Sequence, residues 1–217
     1  MLIIFDLDGT LINTIDDLGQ ACNHALSTCG YPTHKIEDYP RLVGNGINKL
    51  IERALPEEHR NEKTVMQLRA FFVPYYDEHN CDLTHPYDGI PTLLETLKQQ
   101  GHTLAVASNK YQAATEKIVA KLFPGIFDVV LGERENVARK PDPQIVWDIV
   151  EMTGRESEKI LYVGDSLVDA NTARAAGCTL SLCTWGFEKK EQLSEFEPDY
   201  LIAHPKEILE IVHSFEK

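Results

Sequence analysis

The apolar residues of this chain fall into short runs separated by amphipathic stretches. The runs lie at 2–5 (LIIF), 103–107 (TLAVA), 127–131 (FDVVL), 160–163 (ILYV) and 179–183 (TLSLC). Their length is typical of β-strands, and their nearly uniform apolarity is typical of strands that are covered on both faces. Helical patterns lie between them, at 89–100, 111–122, 142–152 and 168–176. This alternation predicts an α/β fold, a Rossmann-like three-layer core with a parallel sheet.

One helix start has a strong local signal. Asp142 precedes Pro143, which predicts a capping acid followed by proline at the first helical position.

The segment 13–83 breaks the alternation. It contains helical patterns at 14–28, 47–54 and 62–80 and no convincing strand. Because one strand precedes this segment and the others follow it, we predict a discontinuous α/β core of residues 1–12 and 84–217, interrupted by an all-helical cap of residues 13–83.

Composition and charge narrow the functional classes. The 217 residues are 43% hydrophobic and 25% charged, which is ordinary for a globular protein. The formal net charge of -13 opposes general binding to nucleic acid or to an anionic membrane. The five cysteines are scattered without a CxxC spacing, which argues against a disulfide framework or a zinc site. We expect a cytoplasmic protein, monomer or homodimer, that acts on a small molecule.

Polar residues are concentrated just after the predicted strands. They are Asp6, Asp8, Ser108, Asn109, Lys140, Asp165 and Asp169. Taken alone, the Ser-Asn pair is typical of a turn, and the last two aspartates are typical of a helix start. Because ligands of open parallel sheets bind beyond the carboxyl ends of the strands, we expect these residues to share one cleft.

The four aspartates of this set would repel one another and any anion. A divalent cation is therefore expected, with Lys140 as a second positive centre. Oxygen ligands without histidine or cysteine favour Mg²⁺, which is also the common partner of phosphates.

These residues predict phosphoryl transfer. Asp6, at the tip of a rigid strand, can attack phosphorus and form an aspartyl-phosphate. Asp8 points the same way, since strand side chains repeat with period two, and can protonate the leaving alcohol and then activate water. We assign Ser108, Asn109 and Lys140 to binding the phosphoryl oxygens.

Four segments together resemble the motifs of the haloacid dehalogenase-like hydrolases. They are DLDGTL at 6–11, SN at 108–109, the lysine of RKPDP at 140 and GDSLVD at 164–169. The resemblance implies Mg²⁺ bound by the Asp6 carboxylate, the Asp8 backbone carbonyl and Asp165, with Asp169, Gly9 and Thr10 in support. The dehalogenases of this family lack an acid at the position of Asp8, so the resemblance implies a phosphatase.

The segment RLVGNGINKLIERAL at 41–55 is similar to the cap of the phosphoglycolate phosphatases in that family. This implies a small phosphate monoester as the substrate, 2-phosphoglycolate above all. We predict that backbone N–H groups of Gly44, Asn45 and Gly46 bind the substrate carboxylate, with Arg41 or Lys49 nearby. A glycine-rich turn that only caps the next helix stays open as the alternative.

Two other functions are considered. Within the same family, the chain could be a phosphomutase resembling β-phosphoglucomutase, or an inorganic pyrophosphatase. From another class, a signalling receiver module also carries an accepting aspartate, Mg²⁺ and a lysine. Receivers place that aspartate after a later strand and have no large helical insertion, whereas the third strand here ends in Gly132-Glu133. The receiver interpretation is therefore disfavoured.

Overall fold

A computed structural model describes residues 1–155 and 159–215. The strands are β1 (Leu2–Phe5), β2 (Ile12–Asn13), β3 (His85–Pro86), β4 (Thr103–Tyr111), β5 (Val129–Glu133), β6 (Ile160–Gly164), β7 (Thr179–Cys183) and β8 (Tyr200–Ile202). The helices are α1 (Ile15–Thr28), α2 (Ile47–Ala54), α3 (Glu62–His79), α4 (Ile90–Gln99), α5 (Gln112–Leu122), α6 (Gln144–Thr153), α7 (Leu167–Ala175), α8 (Lys190–Glu195) and α9 (Glu207–Phe215).

Six of the strands form one parallel sheet in the order β5-β4-β1-β6-β7-β8. Strand β1 lies inside it, with Leu2 opposite Thr103 on one side and Ile160 on the other. Every residue of β1 is fully buried, so helices and loops cover both faces of the sheet. The predicted α/β, Rossmann-like fold is confirmed.

One face of the sheet packs against α6 and α7. Leu2 and Ile4 of β1 belong to a buried apolar cluster that includes Val146 and Ile149 of α6 and Ala173 of α7. Close packing of these buried aliphatic side chains fixes the strands relative to the helices, so the polar residues that follow the strands start from fixed backbone positions.

The chain divides into two compact units, which are described separately. The first contains Met1–Ile12 and the residues from Pro86 onward, and the second is Asn13–His85. Within the second unit α1 and α2 both pack against α3. The buried carboxylate of Asp17 accepts hydrogen bonds from the N–H groups of Leu83 (3.1 Å) and Thr84 (2.8 Å), which ties the end of this unit back to its first helix.

Some predicted boundaries were wrong. Helix α6 begins at Gln144, with Pro143 at the N-cap position, and Asp142 Oδ1 accepts from the Gln144 N–H at 2.9 Å. The proline therefore precedes the helix instead of occupying its first position. The sequence analysis also missed β8, α8 and α9.

Within residues 1–155 and 159–215, no helix combines the length and apolarity needed to cross a bilayer.

Candidate active site

The loop after β1 turns sharply and supports a buried carboxylate. The N–H groups of Leu11 and Ile12 both donate to the carbonyl of Leu7, at 2.9 and 3.1 Å. Gly9 has φ +86°, and a Cβ there would lie 2.2 Å from Asp165 Oδ2. Both the backbone conformation and the lack of space therefore require glycine.

Asp165 is held between this loop and the segment after β7. Its Oδ1 accepts from Thr10 Oγ1 at 3.2 Å, and its Oδ2 accepts from the N–H of Phe187 at 2.8 Å. A Cβ on Gly186 would lie 2.4 Å from Asp165, so a second glycine also makes room for the carboxylate.

Lys140 connects the aspartates at the ends of two other elements. Its Nζ lies 2.9 Å from Asp6 Oδ1 and 2.8 Å from Asp169 Oδ1, and it donates to the Tyr162 hydroxyl at 3.1 Å. Burial alone would lower the pKa of Lys140, but the negative charges of Asp169 and Asp6 raise it well above its ordinary value. The ammonium group is therefore a fixed positive charge at working pH.

Asp169 has both oxygens engaged by the protein. Besides its bonds to Lys140 and Tyr162, its Oδ2 accepts from Ser166 Oγ at 2.5 Å and from the Asp165 N–H at 3.2 Å. The side chain is fully buried. This arrangement suits a residue that supports the site more than it suits a direct metal ligand.

Asp6, Asp165 and Asp169 form a buried acidic cluster in which one oxygen of each lies within 4.8 Å of the others. Burial, and then the charge of Asp169, raise the pKa of Asp6 to about 7 although Lys140 opposes the shift. Burial, followed by the charges of Asp169 and Asp6, raises the pKa of Asp165 well above its ordinary value. A buried, oxygen-only donor set with excess negative charge fits a hard divalent cation.

The prediction that the second strand of the sheet ends at residue 107 was wrong, because Ser108 and Asn109 lie within β4. Strand β4 continues to Tyr111, with a register shift against β5 between Ala107 and Tyr111. Ser108 is buried, and its Oγ accepts from the N–H of Lys110 at 3.1 Å. The Asn109 side chain donates to the carbonyl of Lys140 and accepts from its N–H, both at 3.0 Å, and so fixes the Lys140 backbone.

Lys110 is a site residue that the sequence analysis did not identify. Its Nζ lies 2.9 Å from Asp8 Oδ1, and its side chain is 4% exposed. The only available signal was its position directly after Ser108-Asn109. Its charge makes Lys110 the partner of the predicted acid and base, as Lys140 is the partner of the predicted nucleophile.

Tyr162 was also missed. It is a fully buried residue of β6, and its hydroxyl donates to Asp169 Oδ1 at 3.1 Å while it accepts from Lys140. Within an apolar strand sequence it is typical of core packing, so no local signal distinguished it.

The predicted cap residues lie in the second unit. Gly44 has φ +113°, and Gly46, with φ +78°, is the N-cap residue of α2. Asn45 Oδ1 accepts from Arg53 at 2.5 Å. The two cations expected near this segment already have partners, since Arg41 lies 2.9 Å from Asp38 and Lys49 lies 2.6 Å from Glu52.

Comparison with known proteins identifies the family. The model of the family described as haloacid dehalogenase-like hydrolase matches residues 3–182. The chain belongs to the haloacid dehalogenase-like hydrolases. This confirms the resemblance that the four motifs indicated.

Several relatives of this haloacid dehalogenase-like hydrolase are similar over nearly their whole length. The phosphoglycolate phosphatase of Aquifex aeolicus is 33% identical, with 97% of this chain and 96% of that protein covered. The phosphoglycolate phosphatase of Haemophilus influenzae strain 86-028NP is 34% identical, with 97% of each chain covered. A crystal structure of a candidate phosphoglycolate phosphatase from Lactobacillus delbrueckii subsp. bulgaricus has a TM-score of 0.92 at 31% identity, with 97% of each chain covered. The predicted phosphatase class is confirmed.

Proposed function

We propose that this haloacid dehalogenase-like hydrolase hydrolyses 2-phosphoglycolate with Mg²⁺ as its metal and Asp6 as its nucleophile. The observation that carries the proposal is the ion pair between Asp6 Oδ1 and Lys140 Nζ at 2.9 Å beside the acidic cluster. In this arrangement a carboxylate at a strand end is both oriented and next to a positive charge. The names of the relatives support phosphoglycolate as the substrate.

In the first chemical step Asp6 attacks phosphorus. Lys140 holds Oδ1, so we assign Oδ2 as the attacking oxygen. A bond forms between this oxygen and phosphorus, the bond from phosphorus to the ester oxygen breaks, and protonated Asp8 gives its proton to the leaving glycolate oxygen. Lys140 stabilises the negative charge that spreads over the phosphoryl oxygens in the transition state.

In the second step water hydrolyses the aspartyl-phosphate. Asp8, now a carboxylate, takes a proton from water, the water oxygen bonds to phosphorus, and the bond between phosphorus and Asp6 breaks. The proton that Asp8 lost in the first step is thereby replaced, inorganic phosphate is released, and the Asp6 carboxylate is restored. Ser108 lies next to the Asn109–Lys140 contact, and we assign it to binding a phosphoryl oxygen.

Asp6, Asp165 and the Asp8 backbone carbonyl would hold the metal, with Asp169, Gly9 and Thr10 in support. The metal would supply positive charge beside the phosphoryl group. Thr10 and the N–H of Phe187 orient the Asp165 carboxylate by hydrogen bonds at 3.2 and 2.8 Å.

We further propose that residues 1–12 and 84–217 are the catalytic core and that residues 13–83 are a cap that recognises the substrate. Backbone N–H groups of Gly44, Asn45 and Gly46 would bind the glycolate carboxylate.

Because Gly44 and Gly46 both have positive φ, replacing both by alanine would change the shape of this segment. The double variant is expected to raise KM for 2-phosphoglycolate and to leave turnover of p-nitrophenyl phosphate nearly unchanged. Equal losses on both substrates would remove the case for recognition by this segment.

All five cysteines are thiols, and Cys22 and Cys183 are buried. This supports a reducing compartment, and we infer a cytoplasmic enzyme.

The proposed function is tested by phosphate release from 2-phosphoglycolate, sugar phosphates and pyrophosphate, each with Mg²⁺ and with EDTA. Mg²⁺-dependent preference for 2-phosphoglycolate is expected. Preference for pyrophosphate would favour the pyrophosphatase, and interconversion of sugar phosphates with little free phosphate would favour the phosphomutase.

Asp6→Asn is expected to abolish turnover, whereas Asp8→Asn is expected to accumulate phosphoenzyme. Near-normal turnover in either variant would contradict the role given to that residue.

A further inference from the structure

Arg53 makes an unusual set of contacts inside the second unit. It lies in the last turn of α2, and its guanidinium reaches back to the segment that precedes the same helix. Its Nη1 donates to the carbonyls of Leu42 and Val43, both at 3.0 Å, and its Nη2 donates to Asn45 Oδ1 at 2.5 Å. One side chain therefore binds three acceptors within the four-residue stretch 42–45.

This segment depends on such support because its own sequence does not favour a single conformation. Gly44 has φ +113°, is exposed, and has no atom within 4 Å of the place where a Cβ would be. Gly46 also has positive φ. Glycine loses more conformational entropy on ordering than any other residue, and neighbouring packing contributes little at Gly44.

A planar guanidinium suits this task. It presents its donors in a fixed fork, so one side chain can bind several acceptors at once with little further loss of freedom. A lysine at the same position would retain the charge but would have to bind with a single flexible ammonium group.

We propose that Arg53 is a positioning residue for substrate discrimination, because it fixes the shape of segment 42–46. The inference rests on the proposed function, in which this segment binds the carboxylate of the substrate. A binding segment that is already ordered does not have to lose that freedom when the ligand arrives, so its affinity for the ligand is higher. Without Arg53 the segment would have to become ordered on binding, and KM for the carboxylated substrate would rise.

The test compares Arg53→Met, Arg53→Lys and Arg60→Met in steady-state kinetics with 2-phosphoglycolate and with p-nitrophenyl phosphate. Arg60 is the matched control, since it also donates to backbone carbonyls of this unit, those of Leu55 (3.0 Å) and Arg53 (3.2 Å), but not to segment 42–46. Arg53→Met is expected to raise KM for 2-phosphoglycolate about tenfold, with kcat and the p-nitrophenyl phosphate kinetics nearly unchanged. Arg60→Met is expected to leave both substrates nearly unchanged.

Hydrogen exchange of the backbone amides of residues 42–46 in the ligand-free protein separates positioning from direct recognition of the substrate carboxylate. If Arg53 positions the segment, exchange there is expected to be faster in Arg53→Met and in Arg53→Lys than in the wild type. If Arg53 bound the carboxylate itself, KM would rise while this exchange stayed unchanged, and that result would overturn the proposal. Arg53→Lys also serves alone if the methionine variant does not fold, as judged by its melting temperature and its p-nitrophenyl phosphate turnover.

The outcomes also distinguish this inference from the proposed function. A wild-type enzyme with no preference for 2-phosphoglycolate would refute the proposed function and this inference with it. A wild-type enzyme with that preference, together with Arg53 variants that lose both substrates equally or neither, would refute only the inference.

Discussion

Asp6→Asn is expected to inactivate the enzyme and at the same time to stabilise its metal-free form at alkaline pH. The substitution removes a buried charge and keeps the shape of the side chain. In the folded chain, burial and the neighbouring Asp169 raise the pKa of Asp6 from 3.8 to about 7. Ionised Asp6 therefore costs more free energy in the folded chain than in the unfolded chain.

The magnitude follows from that difference in pKa. A shift of about 3 units at about 1.4 kcal/mol per unit corresponds to an upper limit of about 4 kcal/mol in the free energy of unfolding. Since the native state holds the proton more tightly, stability falls as pH rises from about 4 to about 7, and the full cost applies above pH 7. At pH 5 less than half of the cost is present. For a chain of this size, about 1 kcal/mol corresponds to about 2–4 °C in melting temperature.

Calorimetric melting in EDTA at pH 5 and at pH 8 tests this reasoning. The melting temperature of Asp6→Asn minus that of the wild type is expected to be positive at pH 8, by roughly 8 °C, and clearly smaller at pH 5. Asp88, an exposed aspartate of the same unit, provides the control, and Asp88→Asn is expected to show a small difference at both pH values. Added Mg²⁺ is expected to stabilise the wild type more at pH 8 than at pH 5, because the metal competes with protons. A variant less stable than the wild type at pH 8, or a difference independent of pH, would refute the electrostatic argument.

Three further substitutions test other contacts of the site. Lys110→Met removes the cation 2.9 Å from Asp8 and is expected to lower kcat at least about tenfold in steady-state assays. Lys110→Arg is expected to recover part of that loss. An unchanged kcat in Lys110→Met would show that Lys110 has no role in the reaction. Gly186→Ala places a Cβ 2.4 Å from Asp165 and is expected to raise the Mg²⁺ concentration needed for half-maximal activity, and an unchanged metal requirement would show that the loop adjusts without cost. Tyr162→Phe removes a hydroxyl that is hydrogen-bonded to both Lys140 and Asp169. It is expected to lower the free energy of unfolding by about 1.5–3 kcal/mol, measured by urea unfolding. An unchanged urea midpoint would show that Lys140 and Asp169 do not need this hydroxyl.

The central features of the site could be predicted because they depend on local pattern and sheet topology. Asp6 follows an apolar strand directly, and Asp165 follows another, so parallel pairing is enough to bring them to one edge. The role of Lys110 could not be predicted in this way. Lys110 lies in the stretch where β4 shifts register against β5, which no local pattern encodes, and an isolated lysine in a sequence is most often solvated.

Other features were missed because the competing local signal was weak or misleading. Strand β8 has three residues and lies at the edge of the sheet, where little apolar area is buried. Asn109 stays assigned to the substrate as a prediction from its motif, but the motif did not indicate that its amide also pairs with the backbone of Lys140, 31 residues away. The contacts of Arg53 likewise follow from a side chain that folds back over its own helix, which its sequence position alone does not indicate.

The charges of the site explain why chemistry and discrimination draw on different kinds of residue. When all are ionised, the four aspartates and the two buried lysines carry two net negative charges, which oppose an anionic substrate until a divalent cation balances them. Charges packed this closely must be held in place. Asp6 lies at a strand end, and Thr10 and the N–H of Phe187 hold the Asp165 carboxylate in the space that Gly9 and Gly186 leave for it. The same cluster would attract any phosphate ester once it is neutralised, because it recognises only the group that all such esters share. Discrimination between esters must therefore come from groups that contact the rest of the substrate, which is the role that we propose for residues 42–46 and for Arg53, away from the buried charges.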